Sequence, residues 1–142
     1  MILTLDLGSK LGYYKEGDTK AYTLNLGKGD DRFLNLYLFL SGAELKDVKE
    51  IAFEAAAFKQ GAAIAIYHGM VGILKLYCLE FEIPLTGIPV GTIKKAFTGK
   101  GNTNKAGMMA RCDELGMKYD DDNAADAYGV YCTHTGINNV NI

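Results

Sequence analysis

Leu3, Leu5 and Leu7 alternate with Ile2, Thr4 and Asp6 at the start of the chain. Alternation with a period of two puts each set on its own face of a β-strand, so residues 1–7 read as a strand with a leucine face. Gly8 and Gly12 break the pattern into turns. Residues 11–15 and 20–26 repeat it, and Glu16-Gly17-Asp18 between them has the composition of a hairpin turn. Three short consecutive strands imply an antiparallel meander. The period then changes. Beyond a polar loop at 27–31, Phe33, Leu34, Leu36, Tyr37 and Leu40 give a wide apolar helical face over residues 32–41, with Asp30 or Asp31 available as a cap. A charged connection at 42–50 leads into the apolar run Ile51-Ala52-Phe53, which closes on Glu54 and reads as a buried strand over 50–55.

The longest helical pattern covers residues 61–81. Ala62, Ala65, Ile66, Gly69, Met70, Ile73, Leu74, Tyr77 and Cys78 recur at three and four, and apolar residues extend round much of the remaining surface. A helix apolar on most sides is buried or lies at an interface. The small residues Ala62, Ala63, Ala65, Gly69 and Gly72 permit close approach, either within the core or across the seam of a homodimer. A short strand at 83–88, a helix at 91–97 with Lys94 and Lys95, and a polar loop at 98–102 follow. Asn102 or Thr103 is placed to cap a helix that carries Lys105 in its first turn and runs to Leu115. A last helix, roughly 121–135, stops at Gly136. A meander followed by β-α-β units predicts a mixed sheet with helices packed on it. In such a sheet ligands collect at the carboxyl ends of strands, where Asp6 and Glu54 fall.

The chain has 142 residues, nearly half of them hydrophobic, which suits one domain with a real core. Residues 1–8 meet an acid too early for a signal peptide, and every 18-residue window contains a polar or charged residue. Cys78, Cys112 and Cys132 have no metal-ligand spacing and read as buried thiols in a reducing compartment. The net charge of −2 argues at first against nucleic acid. Its distribution does not, because residues 83–112 hold no acid but contain Lys94, Lys95, Lys100, Lys105 and Arg111. A basic segment beside an acidic cluster suits a site that grips phosphates with one and metal with the other; a solvated basic face is the plainer alternative.

The acidic cluster is Asp120-Asp121-Asp122-Asn123, followed by Ala-Ala-Asp126-Ala-Tyr. In a helix Asp122 and Asn123 lie four and three residues before Asp126, on one face and roughly 5–6 Å apart at Cβ. Acids at a helix start are explained by the dipole. Asp126, among alanines and a tyrosine, is not, and a divalent cation would relieve the repulsion it meets.

Asp6 with Gly8, strand-end Glu54, the run Lys-Lys…Thr-Gly-Lys-Gly-Asn…Lys over 94–105, and the terminal Asp-Asp-Asn-Ala-Ala-Asp-Ala helix occur here in the order that resembles RuvC-type Holliday junction resolvases. The phage-encoded branch is the closer likeness, which implies a cytoplasmic protein of an infected bacterium. The resemblance spans nearly the whole chain. It implies an α/β, RNase H-like mixed β-sheet (three antiparallel strands, then parallel strands) flanked by helices, in one nuclease domain over 1–142. It further implies a homodimer, for which the helix over 61–81 is the candidate seam, that nicks branched DNA in pairs with two Mg²⁺ per site, Mn²⁺ being a substitute. Four-way junctions are the expected substrate, with forks and three-way branches alongside, no membrane is involved, and the ends left are 5′-phosphate and 3′-hydroxyl.

By the same resemblance Asp6, Glu54 and Asp126 match the metal-binding acids, and Lys94 and Lys105 match lysines that hold backbone phosphates. The family's fourth metal position carries Asp or His; here it is Asn123, and Asp122 one residue earlier is the other candidate. Phe58, Lys59, Lys95 and Lys100 are expected to join Lys94 and Lys105 on the DNA, although Phe58 serves equally as a core anchor. The departure at Asn123 keeps open a second expectation, a branched-DNA binder with weak or no catalysis.

Overall fold

The computed structural model describes residues 1–56 and 60–136. The order of elements follows the change of period. Strands β1 (Ile2–Asp6), β2 (Lys10–Lys15) and β3 (Lys20–Asn25) form the meander. Then come α1 (Asp31–Leu40), β4 (Glu50–Ala55), α2 (Ala62–Glu80), β5 (Leu85–Pro89), α3 (Val90–Thr98), α4 (Lys105–Glu114), β6 (Lys118–Tyr119) and α5 (Asp122–Thr135). The six strands lie in the order β5-β4-β1-β2-β3-β6. β1 and β2 and then β2 and β3 pair antiparallel, whereas β4 pairs parallel with β1 and β5 parallel with β4. This is the mixed sheet that the strand pattern and the resemblance both imply.

Two apolar layers sandwich the sheet. On one face Leu3, Leu5, Leu7, Leu11, Ile51 and Phe53 pack with Leu36 and Leu40 of α1 and Met70, Leu74 and Tyr77 of α2. On the other Tyr14, Ala21 and Ala52 pack with Ile93 and Phe97 of α3, Met108 and Cys112 of α4, and the small-residue face of α5. The three cysteines are free and buried. Gly69 lets α1 and α2 meet, because a Cβ there would lie 2.6 Å from the Phe33 ring.

The structure departs from the sequence pattern at several points. Asn104, not Asn102 or Thr103, caps α4, its side chain accepting the Gly107 amide at 2.9 Å. β5 begins after Ile83 and includes Pro89, whose missing N–H is tolerated at a strand end on the sheet edge. β6 pairs only Lys118 and Tyr119 with β3, too short to leave a periodicity. Leu34 belongs to the apolar face read from the spacing yet is exposed. α2 is long and apolar enough to cross a membrane by length and composition, with a mean hydropathy of 1.6. One row of it, however, is docked on the sheet: Tyr67, Met70, Leu74, Tyr77 and Cys78 are buried.

Candidate active site at the carboxyl ends of the central strands

Alternation along β1 decides where its acid points. Leu3, Leu5 and Leu7 belong to the α1/α2 side, so Ile2, Thr4 and Asp6 face α5. Ile2 packs with that second core, and the Thr4 hydroxyl donates to the Ala127 carbonyl of α5 at 2.8 Å. In β4, Phe53 faces α1/α2 and Ala52 faces α5, so Glu54 shares the α5 side. Leu5 lies opposite Phe53 in the parallel register. Asp6 and Glu54 therefore stand at the ends of adjacent strands, on one face.

α5 starts over this point because its first turn is tied to β3. Asp121 is the N-cap, accepting the amides of Asn123 at 3.0 Å and Ala124 at 3.2 Å, and it also accepts the Thr23 hydroxyl. Burial works to raise the Asp121 pKa, but these hydrogen bonds together hold it below the usual range. Asp120 pairs with Lys20 at 2.7 Å and accepts the Thr23 amide; the lysine, first, and that amide depress its pKa. Gly12 lets the helix pass: a Cβ there would lie 2.0 Å from the Asn123 carbonyl oxygen.

Asp126, one turn into α5, is partly buried. Burial first, and then the charges of Glu54 and Asp122, push its carboxyl up to about 7, while Lys94 and Lys105 oppose the rise. The same charges show the convergence: the ends of β4 and α5 and the lysines of α3 and α4 act on one carboxyl. Asp6 ends the strand beside β4. Tyr67 of α2 reports on the strand pair, since burial, and less strongly the charges of Glu54 and Asp6, raise its hydroxyl pKa.

Asp122 acts on Asp126 and forms an ion pair with Lys105 at 3.3 Å, and the Asn123 main-chain amide donates to Asp121 at 3.0 Å. Lys95 and Lys100 are exposed, the former on α3 and the latter in the turn leading to α4. Phe58 and Lys59 lie outside the described residues. Among the described residues no three His, Cys, Asp or Glu side chains come within joint reach of one ion. The donor chemistry nonetheless fits a hard divalent cation: Asp6, Glu54, Asp122 and Asp126 offer carboxylates and Asn123 a carbonyl oxygen. The sequence had not singled out Thr4, Thr23 or Tyr67. Thr4 carried a signal, a hydroxyl on the face of Asp6; for the other two the signal lies only in the tertiary contacts.

No protein-family model and no curated protein sequence matches the chain. The fold is that of RuvC. The chain is similar to the Thermus thermophilus RuvC in complex with Holliday junction substrate, with a TM-score of 0.74 and 18% identity, covering 99% of this chain and 95% of that one. A second structure of the Thermus thermophilus RuvC matches at a TM-score of 0.69 and 17% identity, covering 99% and 96%.

Proposed function

We propose that the protein is a divalent-metal-dependent, structure-selective endonuclease that cleaves Holliday junctions and other branched DNA by paired nicks. What supports this reading is that strand-end Asp6 and Glu54 lie on the sheet face covered by α5, where Glu54 and Asp122 act on Asp126 beside two lysines, in a RuvC fold. A fold neighbour seen with Holliday junction substrate supports the choice of DNA.

Asp6 and Glu54 would hold metal from the sheet, with Asp126 and Asp122 facing them from α5. Mg²⁺ held there, or Mn²⁺ in its place, would supply an activated water and stabilise the leaving 3′ oxygen, which would give 5′-phosphate and 3′-hydroxyl ends. Lys94 and Lys105 neutralise the phosphate at the cut. Lys105 also engages Asp122, so phosphate and carboxylate compete for one ammonium group. Lys95 and Lys100 extend the cationic track along the backbone. A homodimer through the α2 layer would set two such sites about a two-fold axis, as symmetric nicks require.

The test is a labelled four-way junction with Mg²⁺. The parent is expected to nick opposed strands, and Asp126→Asn to bind the junction with nearly unchanged affinity while losing almost all cleavage. An Asp126→Asn protein that cuts close to the parent rate would sink the assignment. A parent that retards branched DNA and never cuts it would be the inactive binder that Asn123 raises.

A further inference from the structure

The β1–β4 ladder stops before it reaches the site. Its register runs from Ile2 opposite Glu50 to Leu5 opposite Phe53, after which β1 ends at Asp6. On the other side of β4, the Ile51 amide donates to the Pro84 carbonyl. Alternation of main-chain groups along β4 therefore turns those of Glu54 and Ala56 toward β1, at a level where β1 has already left. Tyr67 of α2 supplies what is missing. Its hydroxyl donates to the Glu54 carbonyl at 3.0 Å and accepts the Ala56 amide at 2.9 Å. One residue of a parallel neighbour would take the same two groups, so a single side-chain oxygen here does the work of the next ladder residue. The ring is 6% exposed. It borders a hollow of about 150 Å³ lined also by Leu7, Gly8, Ala63 and Ile66, at the point where β1 peels away.

We propose that Tyr67 is a positioning residue for Glu54: its hydroxyl clamps the main chain on both sides of Ala55 and so fixes the direction of the Glu54 carboxylate toward Asp6 and Asp126. The proposal rests on the reading of Glu54 as a metal ligand. Without the clamp the end of β4 loses these two main-chain bonds on its β1 side and keeps its pairing to β5, with Glu54 opposite Ile88 and Ala55 opposite Pro89. Removing a partner that orients a metal ligand typically costs 10–100-fold in affinity.

Tyr67→Phe keeps the ring and deletes the bridge. Mn²⁺ binding to the full chain, followed by electron paramagnetic resonance, gives a readout independent of cleavage; junction cleavage against Mg²⁺ concentration gives a second. Tyr67→Phe is expected to weaken Mn²⁺ binding roughly tenfold and to raise the half-maximal Mg²⁺ concentration by a similar factor. The rate at saturating Mg²⁺ and the junction affinity in EDTA should stay near the parent's. Tyr14→Phe is the control: it removes another tyrosine hydroxyl bond, to the Asp18 carbonyl at 2.8 Å, and should lower the unfolding midpoint with no change in Mn²⁺ affinity. Parent-like Mn²⁺ binding in Tyr67→Phe overturns the proposal, and so does an equal loss in Tyr14→Phe. A parent that binds Mn²⁺ but cuts nothing overturns the nuclease reading instead and leaves the Tyr67 comparison intact.

Discussion

Asp126 brings an electrostatic penalty into the folded protein. Its carboxyl titrates at about 7 in the metal-free fold against an ordinary 3.8. Below 3.8 it is protonated both folded and unfolded and costs nothing. As pH rises from 3.8 the unfolded chain ionises first, so stability falls until the folded carboxyl ionises near 7, and it is level above that. The gap corresponds to a few kcal/mol, on the order of 2–4 once residual solvent access is allowed for. In EDTA at pH 7.5, Asp126→Asn should therefore be more stable than the parent in urea unfolding, and the difference should shrink as pH falls toward 4. Equal stabilities at pH 7.5 would show that neither burial nor the neighbouring carboxylates penalise the Asp126 charge. Gly12 tests the convergence of these carboxylates sterically. A Cβ there meets main chain of the first α5 turn, at 2.0 Å from the Asn123 oxygen and 3.1 Å from the Ala124 nitrogen. That backbone cannot rotate aside, so Gly12→Ala should cost about 1–3 kcal/mol and displace Asp122 and Asp126 from the strand acids, weakening Mn²⁺ binding. Gly129→Ala meets the movable end of Met108 at 2.7 Å and should lose less stability, with Mn²⁺ affinity kept.

α5 is anchored at both ends, and each anchor places Asp126. At its start Asp121 caps the helix and Asp120 reaches Lys20. At its end His134 contacts Glu50 at 2.5 Å, and the Tyr131 hydroxyl donates to Glu16 at 3.2 Å. Asp121→Ala should cost about 1 kcal/mol in urea unfolding, as lost caps do. It should also slow cleavage more than Asp120→Ala, because only the cap sets the rotation of the first turn. Equal effects of the two substitutions would assign that role to the surface pair instead. This element shows what a sequence holds and what it leaves to the fold. The alternation of Leu3, Leu5 and Leu7 against Thr4 and Asp6 was legible because period two is a property of the strand itself. Helix α5 and its odd acid were legible through spacing. The choice between Asp122 and Asn123 was not, since both spacings suit one face. What the fold adds is the ion pair of Asp122 with Lys105 and the Asn123 main-chain amide on the Asp121 cap, neither of which spacing reveals. Asn102, Thr103 and Asn104 are all capping types, and only the carboxamide that reaches the Gly107 amide decides among them. Tyr67 stands outside the helical stripe that the spacing gives, and its partners Glu54 and Ala56 are main-chain groups that no pattern of side chains reveals.

Across the whole molecule the two helical layers differ in finish. The α5 layer is closed: Ala124, Ala125, Ala127, Val130 and Cys132 are fully buried. The α1/α2 layer is not, and it leaves Leu34, Leu38, Leu76, Leu79 and Phe81 each more than half exposed. Isolated exposed leucines are ordinary; several on one packed helix pair are of the kind that marks an interface. A second copy is the occupant that the proposed chemistry calls for, since paired nicks need two sites and each chain carries one. A stable seam buries roughly 800 Å² per partner, which the exposed side of α2 supplies only together with its neighbours on α1. Leu79, 79% exposed near the end of α2, has little to do within its own chain, so Leu79→Glu should leave the unfolding midpoint nearly unchanged. In sedimentation it should shift the protein from dimer to monomer. On a four-way junction it should convert paired cutting into single nicks, with the once-nicked junction accumulating, because each monomer keeps its own Asp6, Glu54 and Asp126. A Leu79→Glu protein that sediments as the parent does, and still resolves junctions without a nicked intermediate, would place the seam elsewhere.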